Sequence, residues 1–538
     1  MKLFNKFLFL GCMLVLLVAP GCKKQAGLAG GGTILPMGGT SQKTGWAYND
    51  PTRGFFNVQT EYQGKCPQGM VYIEVATTVR GQNGDMLSVA KNNTKKRVAS
   101  SAFFMDQYEV TNLEWREYVR WLQEVYLHSP DVVIRALPDE SVWRKELAYN
   151  EPYVREYYVS PAYNDYPVVG VSWKQATEYC KWRTDRLNEL ELIYAGVIPF
   201  IPLNIVNQKI QEYPDSAKNF VFTTKGARDY VYFVNANYEE FESEDGEALD
   251  FQPDYKAYDL NGDGEIGPNE WNVVLEGALY DSECRLPTEM EWEYAAYGLM
   301  TEEGIYDQTN TYPWSGTQMR LFDSSDYEGE FMANFLRGRG DPVGVQINGT
   351  LTVPVYFFDQ NNYGLYNMAG NVNEWVKDVY RANVTTIEEI NAYRGNEFES
   401  DSLYAEEILN KHFAYLDPAL RDSMRTVLIA ERGITKTGGD YRDFKDGDMQ
   451  SALEGDSAKV EAVYKDLTPI EKANMISNTA RVYKGGGWND RAIWLNPSQR
   501  RWLDENACRN DIGFRCVMST VGGFEQKRNY SNDGYIIR

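Results

Sequence analysis

Three stretches of the chain repeat apolar residues at helical spacing behind the same polar opening. Thr111-Asn112-Leu113-Glu114 leads an amphipathic run to about Leu127, and Ser172-Trp173-Lys174-Gln175 leads a second through Trp182. Thr288-Glu289-Met290-Glu291 leads a third through Tyr297. In each, the first hydroxyl can accept from the third following amide while the Glu or Gln reaches back, a capping box that predicts a helix. Met70 to Thr77 (MVYIEVAT) has the alternating, β-branched character of a strand. Short strand patterns and long Gly/Asn/Asp-rich loops fill much of the remainder, so the expected class is α+β with much irregular chain. Residues of about 188–283 and 381–480 are acidic and mixed in pattern, and they read as insertions between aromatic-rich segments. The second carries helical periodicity around Tyr404–Leu416 and Lys459–Asn474, and no internal repeat is visible.

Composition narrows the function classes. The chain has 538 residues, 43% hydrophobic and 14% aromatic, which excludes general disorder and allows a large core. Its 77 acidic and 54 basic residues give a formal net charge of -23. Such a surface repels phosphate backbones, so no nucleic acid is expected as a partner, and it favours divalent cations. His128 and His412 are the only histidines, and neither stands at a metal-ligand spacing. Zinc chemistry and histidine-based triads therefore lose their support.

The N-terminus carries a targeting signal. Lys2 and Lys6 form a basic segment, Phe7 to Val18 a short apolar core, and Ala19-Pro20-Gly21 precede Cys22. The apolar run is too short to span a bilayer. It reads as a lipoprotein signal, residues 1–21, cleaved before Cys22, whose thiol and new amine would be acylated; a plain secretory signal is the alternative. Several acyl chains would hold the protein firmly, at roughly 0.8 kcal/mol per buried methylene. Residues 22–45 follow as a Gly-rich tether, whose twenty or so residues span roughly 25 Å. Lys23 and Lys24 follow the anchor without an acidic export run, which places the protein on the outer membrane facing the periplasm. Beyond the anchor remain Cys66, Cys180, Cys284, Cys508 and Cys516, an odd set that leaves at least one thiol out of any pairing.

The sharpest metal signal lies in the first insertion. Asp259, Asn261 and Asp263 offer side-chain oxygens, Glu265 a main-chain carbonyl and Glu270 a bidentate carboxylate, with Gly264 at the sharp turn and Ile266 as anchor. This fills a twelve-residue EF-hand loop and predicts a structural calcium ion; a solvated acidic turn is the alternative.

Several segments, in order, resemble the formylglycine-generating (sulfatase-modifying factor) superfamily. They are Phe104 to Asn112 (FMDQYEVTN), Tyr166 to Trp173 (YPVVGVSW), Arg285 to Glu293 (RLPTEMEWE), Gly364 to Trp375 (GLYNMAGNVNEW), Gly485 to Trp488 (GGGW) and Asp511 to Cys516 (DIGFRC). The resemblance implies a compact, loop-rich α+β fold related to C-type lectins, over residues 46–520, with the two insertions and a tail at 521–538. It implies a second calcium held by Asn367, Gly370, Val372 and Glu374 through two side chains and two carbonyls, although Asn373 replaces the usual tryptophan before Glu374. A further calcium site of the family would involve Asn334 and Phe335, but its later acidic ligand has no clear counterpart here. The resemblance also implies a Cys180–Cys516 disulfide, and leaves a Cys284–Cys508 pairing open. The enzymes of the superfamily bind copper through two cysteines four and nine residues beyond the second glycine of the Gly-Gly motif. Counted from Gly486, those positions hold Asp490 and Leu495. No soft-ligand pair remains, so a non-catalytic domain is expected.

Thr44-Gly45-Trp46 after the tether, Ala136 to Asp139 with Val142-Trp143-Arg144, and Trp182 to Arg186 resemble the GldJ family of gliding-motility lipoproteins from the Bacteroidota. The related GldK family shares the scaffold, is shorter and lacks these stretches. The resemblance implies a structural part of the gliding and type IX secretion machinery, beside a GldK-type ring lipoprotein and a GldN-type ring protein. A calcium-dependent envelope or carbohydrate-binding lipoprotein is the alternative. Glu289, Glu291 and Glu293 read as capping or solvent residues, and Arg500, Arg501, Arg509 and Arg515 as scaffold ion pairs or the lining of a relic cleft. The tail after Gly523 is either a free end or a docking strand.

Overall fold

The computed structural model describes residues 64–81, 93, 96–145, 149–195, 202–212, 221–224, 277–280, 282–298, 311–314, 317–322, 328–337, 351–380, 423–426 and 479–522, with single residues at 43, 44, 48, 147, 198, 200, 275, 409, 420 and 421. The signal, Cys22, the tether, the EF-hand loop from Asp259 to Glu270 and the tail beyond Gly522 lie outside them. Among the described residues no helix is long and apolar enough to cross a membrane.

Besides short helices at Pro130–Ala136 and Glu151–Glu156, the main elements in chain order are β1 (Met70–Ile73), β2 (Ala76–Arg80), β3 (Lys96–Ser100), β4 (Phe103–Asp106), α1 (Asn112–Val125), α2 (Trp173–Tyr194), α3 (Leu203–Glu212), β5 (Cys284–Arg285), α4 (Glu289–Tyr297), β6 (Asn373–Val379), β7 (Ala480–Lys484), β8 (Arg501–Asp504), β9 (Ile512–Gly513) and β10 (Val517–Ser519). All three expected capping boxes form, at Thr111, Ser172 and Thr288. Each cap contributes about 1 kcal/mol to its helix.

The strands make two four-stranded sheets, ordered β1-β4-β10-β5 and β8-β7-β6-β9, and a separate β2-β3 pair. The chain crosses between the large sheets in three residues, because β9 pairs in parallel with β6 while β10 pairs with β4. That crossing is Phe514-Arg515-Cys516. Phe514 and Cys516 pack with Trp115, Tyr118 and Tyr179 of α1 and α2, and Trp115 stacks on Tyr179 at 5.3 Å. Trp292 of α4 packs with Phe103, Met105, Val376 and Val482 in a second cluster.

Two expectations are corrected. The Met70–Thr77 run is two strands, because β4 pairs with the chain only as far as Ile73, and β2 pairs with β3 beyond a two-residue break. The second helix runs on to Tyr194, so the core extends beyond residue 188: Asn188 and Leu192 are buried, and the Asn188 side chain donates to Thr224 Oγ1 and accepts from the Tyr280 amide. The chain that leaves this helix returns against it at Cys284, whose amide donates to Thr184 Oγ1. Around the second stretch, the Tyr380 amide donates to Ala480 O at 2.8 Å, so residues 381–479 leave and re-enter at adjacent ends of β6 and β7.

Candidate functional site

The loop before β6 turns tightly. Asn367 and Asn371 hold positive φ, 52° and 61°, a conformation asparagine tolerates better than most residues. Gly370 has φ +87°, and a Cβ there would lie 2.6 Å from Asn334 O, so only glycine fits. The turn aims both asparagines at Glu109. Asn367 Nδ2 donates to Glu109 Oε2 and Asn371 Nδ2 to Glu109 Oε1, each at 3.0 Å. Burial pushes the Glu109 carboxyl up to about 7, against the pull of the Arg515 guanidinium. Asn367 Nδ2 also reaches Val355 O at 2.7 Å, while its Oδ1 is buried with no hydrogen-bond partner among the described residues.

One strand position on, Glu374 faces Arg515. Nε and Nη2 of Arg515 donate to the two carboxylate oxygens at 2.7 and 2.6 Å, and both side chains are wholly buried. Trp292 Nε1 donates to Glu374 Oε2 at 2.7 Å. The remaining guanidinium donors reach the carbonyls of Asp106, Gln107 and Tyr366. A carboxylate has about four acceptor positions, so three of those on Glu374 are filled. Asn367 Oδ1 and the last position on Glu374 are oxygens of the kind a calcium ion takes. Among the described residues no group of three or more His, Cys, Asp and Glu gathers as a metal site.

The Gly485-Gly486-Gly487 turn leads to Asp490. Its carboxylate is clamped by Arg501, whose Nη1 and Nη2 reach Oδ1 and Oδ2 at 2.6 Å each. The Gly487 amide and Asn373 Nδ2 donate to Oδ2 as well, at 2.9 and 2.8 Å. Burial alone would push this carboxyl up; Arg501 overrides it and holds it below the usual carboxylate range. Asn373 also donates to Asp511 O and accepts from Arg501 Nη2. Leu495 points elsewhere, wholly buried among Tyr312, Ala333, Phe335 and Ala369. The two positions thus hold an ion pair and an apolar plug.

Cys180 and Cys516 are both wholly buried with sulfurs 3.4 Å apart, unbonded in this structure but near enough to join on oxidation. Cys284 lies against α2, and Cys508 meets Asp139 at 3.7 Å, so the pairing left open for them is not made.

All four late arginines find carboxylates: Arg500 with Glu289, Arg501 with Asp490, Arg509 with Asp511 and Arg515 with Glu374. Glu291 is the capping residue. Glu289 and Glu293 are not solvent residues, because fully buried Lys484 bridges them. Burial would raise the Glu289 carboxyl, but Arg500 and Lys484 bring it down to about 2. Glu109 and Asn371 escaped the sequence reading; an acid between Tyr108 and Val110, inside the Phe104–Asn112 motif, was the available signal.

The family model of the sulfatase-modifying factor enzyme 1-like domain matches residues 57–427. The formylglycine-generating enzyme of Bos taurus is 22% identical over 329 residues, 60% of this chain and 62% of that protein. The corresponding enzyme of Mycobacterium tuberculosis is 40% identical over 124 residues, 21% of this chain and 36% of that protein. The inactive C-alpha-formylglycine-generating enzyme 2 of Mus musculus is 38% identical over 97 residues, 18% of this chain and 27% of that protein. The matches thus span less than two thirds of these relatives' length. Among solved structures, PvdO from Pseudomonas aeruginosa aligns over 86% of this chain and 100% of its own, at 13% identity and a TM-score of 0.37. Active and inactive formylglycine-generating proteins both stand among the relatives, and with more than half of its length matched, the chain belongs to the sulfatase-modifying factor enzyme 1-like domain family.

Proposed function

We propose that this chain is a non-catalytic, lipid-anchored component of the gliding motility and type IX secretion machinery, of the GldJ kind. It is held at the outer membrane through Cys22 and faces the periplasm beside a GldK-type ring lipoprotein and a GldN-type ring protein. The observation that carries the non-catalytic part is the fate of the two thiol positions. Asp490 is spent on Arg501, Asn373 and the Gly487 amide, and Leu495 fills an apolar cluster. Neither can supply a thiolate, and copper(I) selects soft sulfur ligands. The inactive relative supports the same reading. The membrane and assembly roles rest on the N-terminal signal and on the GldJ-like segments.

Calcium in this reading is structural. It would be held in the EF-hand loop by Asp259, Asn261, Asp263, Glu265 and Glu270, and in the core by Asn367, Gly370, Val372 and Glu374. The unpartnered Asn367 Oδ1 supports the second site.

Mild cross-linking on intact cells, followed by affinity purification from outer membranes and mass spectrometry, tests the assembly role. Recovery of both ring proteins is expected. Their absence, with the chain still in the outer membrane, would sink that role and move the envelope- or carbohydrate-binding reading forward. A copper(I) titration with no tight binding is expected; tight binding would sink the non-catalytic reading.

A further inference from the structure

Lys377 sits where β6 bulges. The strand pairs with β7 at Trp375–Tyr483 and again at Val379–Arg481, so Val376, Lys377 and Asp378 stand opposite Val482 alone. Other elements hold the bulge in place. The Lys377 amide donates to Pro287 O at 2.8 Å, just ahead of α4, and Val376 O accepts from Trp173 Nε1 at 2.8 Å. Lys377 O accepts from Arg481 Nη1 at 3.3 Å. Two guanidiniums are fixed around this lysine. Arg481 lies on the Trp173 ring at 3.8 Å and is bound by Glu505 at 3.0 and 2.9 Å. Arg285, in the segment that leads to Pro287, is bound by Glu291 at 2.8 and 2.7 Å. The adjacent carboxylate is committed elsewhere: Asp378 is buried, and its Oδ2 accepts from the Glu289 amide at 2.7 Å. Lys377 is half-buried, and its Nζ meets no acceptor among the described residues, whereas Lys65, Lys174, Lys181 and Lys484 each reach a carboxylate. Burial first, and then Arg285, hold the Lys377 amine below the ordinary ammonium range. Arg481 acts in the same direction, and Asp378 and Glu291 oppose it only in part.

We propose that Lys377 is a carbamate-forming lysine, a modification site that takes carbon dioxide. A half-buried lysine without a counter-ion presents its neutral amine more readily than a solvated one. The lone pair of that nitrogen attacks the carbon of carbon dioxide, and an N–C bond forms. One C=O π pair becomes the carboxylate charge, and a proton on nitrogen passes to water. The product is an anion where an ammonium stood. Arg285 and Arg481, whose charges oppose the ammonium, favour the carbamate. The change inverts the charge of the bulge and leaves its main-chain bonds in place.

Incubation of the full chain with isotope-labelled bicarbonate near neutral pH, followed by trapping with triethyloxonium ion and peptide mass spectrometry, tests this. The trapped carbamate ester should appear at Lys377 severalfold above Lys174 and Lys181, whose ammonium groups are held by Glu505 and Glu178. Unfolding in guanidinium chloride before the incubation should erase that preference, because packing makes the site. Occupancy at Lys377 no higher than at Lys174 in the folded chain would overturn the proposal, and so would a preference that survives unfolding.

Discussion

Arg515→Met offers the most direct test of how the centre is held. The guanidinium gives Glu374 two bonds at 2.7 and 2.6 Å and satisfies three carbonyls, all without exposure to water. Removing one partner of a buried pair costs about 3–5 kcal/mol, because the other charge is left without compensation. Unsatisfied carbonyls add to that, at about 1–3 kcal/mol each as an upper bound. A loss of about 5 kcal/mol is expected for Arg515→Met, a large part of the roughly 5–15 kcal/mol that holds a domain. Glu374→Gln keeps an acceptor for Trp292 and one for Arg515, and should cost about 3 kcal/mol. The double variant Arg515→Met/Glu374→Gln removes both charges of the pair, so its loss should fall short of the sum by about 2 kcal/mol. Urea unfolding followed by tryptophan fluorescence reads all three. A cost under about 1 kcal/mol for Arg515→Met, or strict additivity, would refute the reasoning.

The remaining predictions concern thiols, protons and calcium. In protein taken from the periplasm, alkylation after unfolding should leave Cys180 and Cys516 unlabelled until reductant is added; labelling of both without reductant would show that the sulfurs stay apart. Burial, then Glu289, pushes the Asp378 carboxyl from 3.8 up to about 7. The native state therefore holds a proton that the unfolded state has lost, so stability falls as pH rises between those values and levels off above. Asp378→Asn should flatten that slope and gain stability at pH 8 relative to wild type; an unchanged slope in urea unfolding at pH 5 and 8 would oppose the assignment. Calcium at about 100 times its Kd should add about 2.7 kcal/mol, raising the melting temperature over EGTA. Asn367→Ala and Asp259→Ala should each remove part of the rise, and identical melting in calcium and EGTA would sink both sites.

The capping boxes at Thr111, Ser172 and Thr288 were legible because a helix start is a local matter, set by residues three apart. The family motifs were legible for a related reason: turns such as Gly370 need particular backbone freedom or clearance, and the residue type records it. Helix and strand ends were less so. The continuation of α2 to Tyr194 depends on Thr224 and Tyr280, and the break after Ile73 depends on where β4 stops, both distant in sequence. The replacement of the two thiol positions by Asp490 and Leu495 could be read by counting. Their surroundings could not, because Arg501, Asn373 and the Tyr312–Phe335 cluster are brought together by packing alone. The charged residues show the division most clearly. Their composition sets a net charge of -23, but which charges are buried follows from tertiary contacts. Glu109, Glu293, Lys484 and Arg515 look like surface residues by type, and they are buried because the folded chain supplies each with a partner that offsets the loss of water.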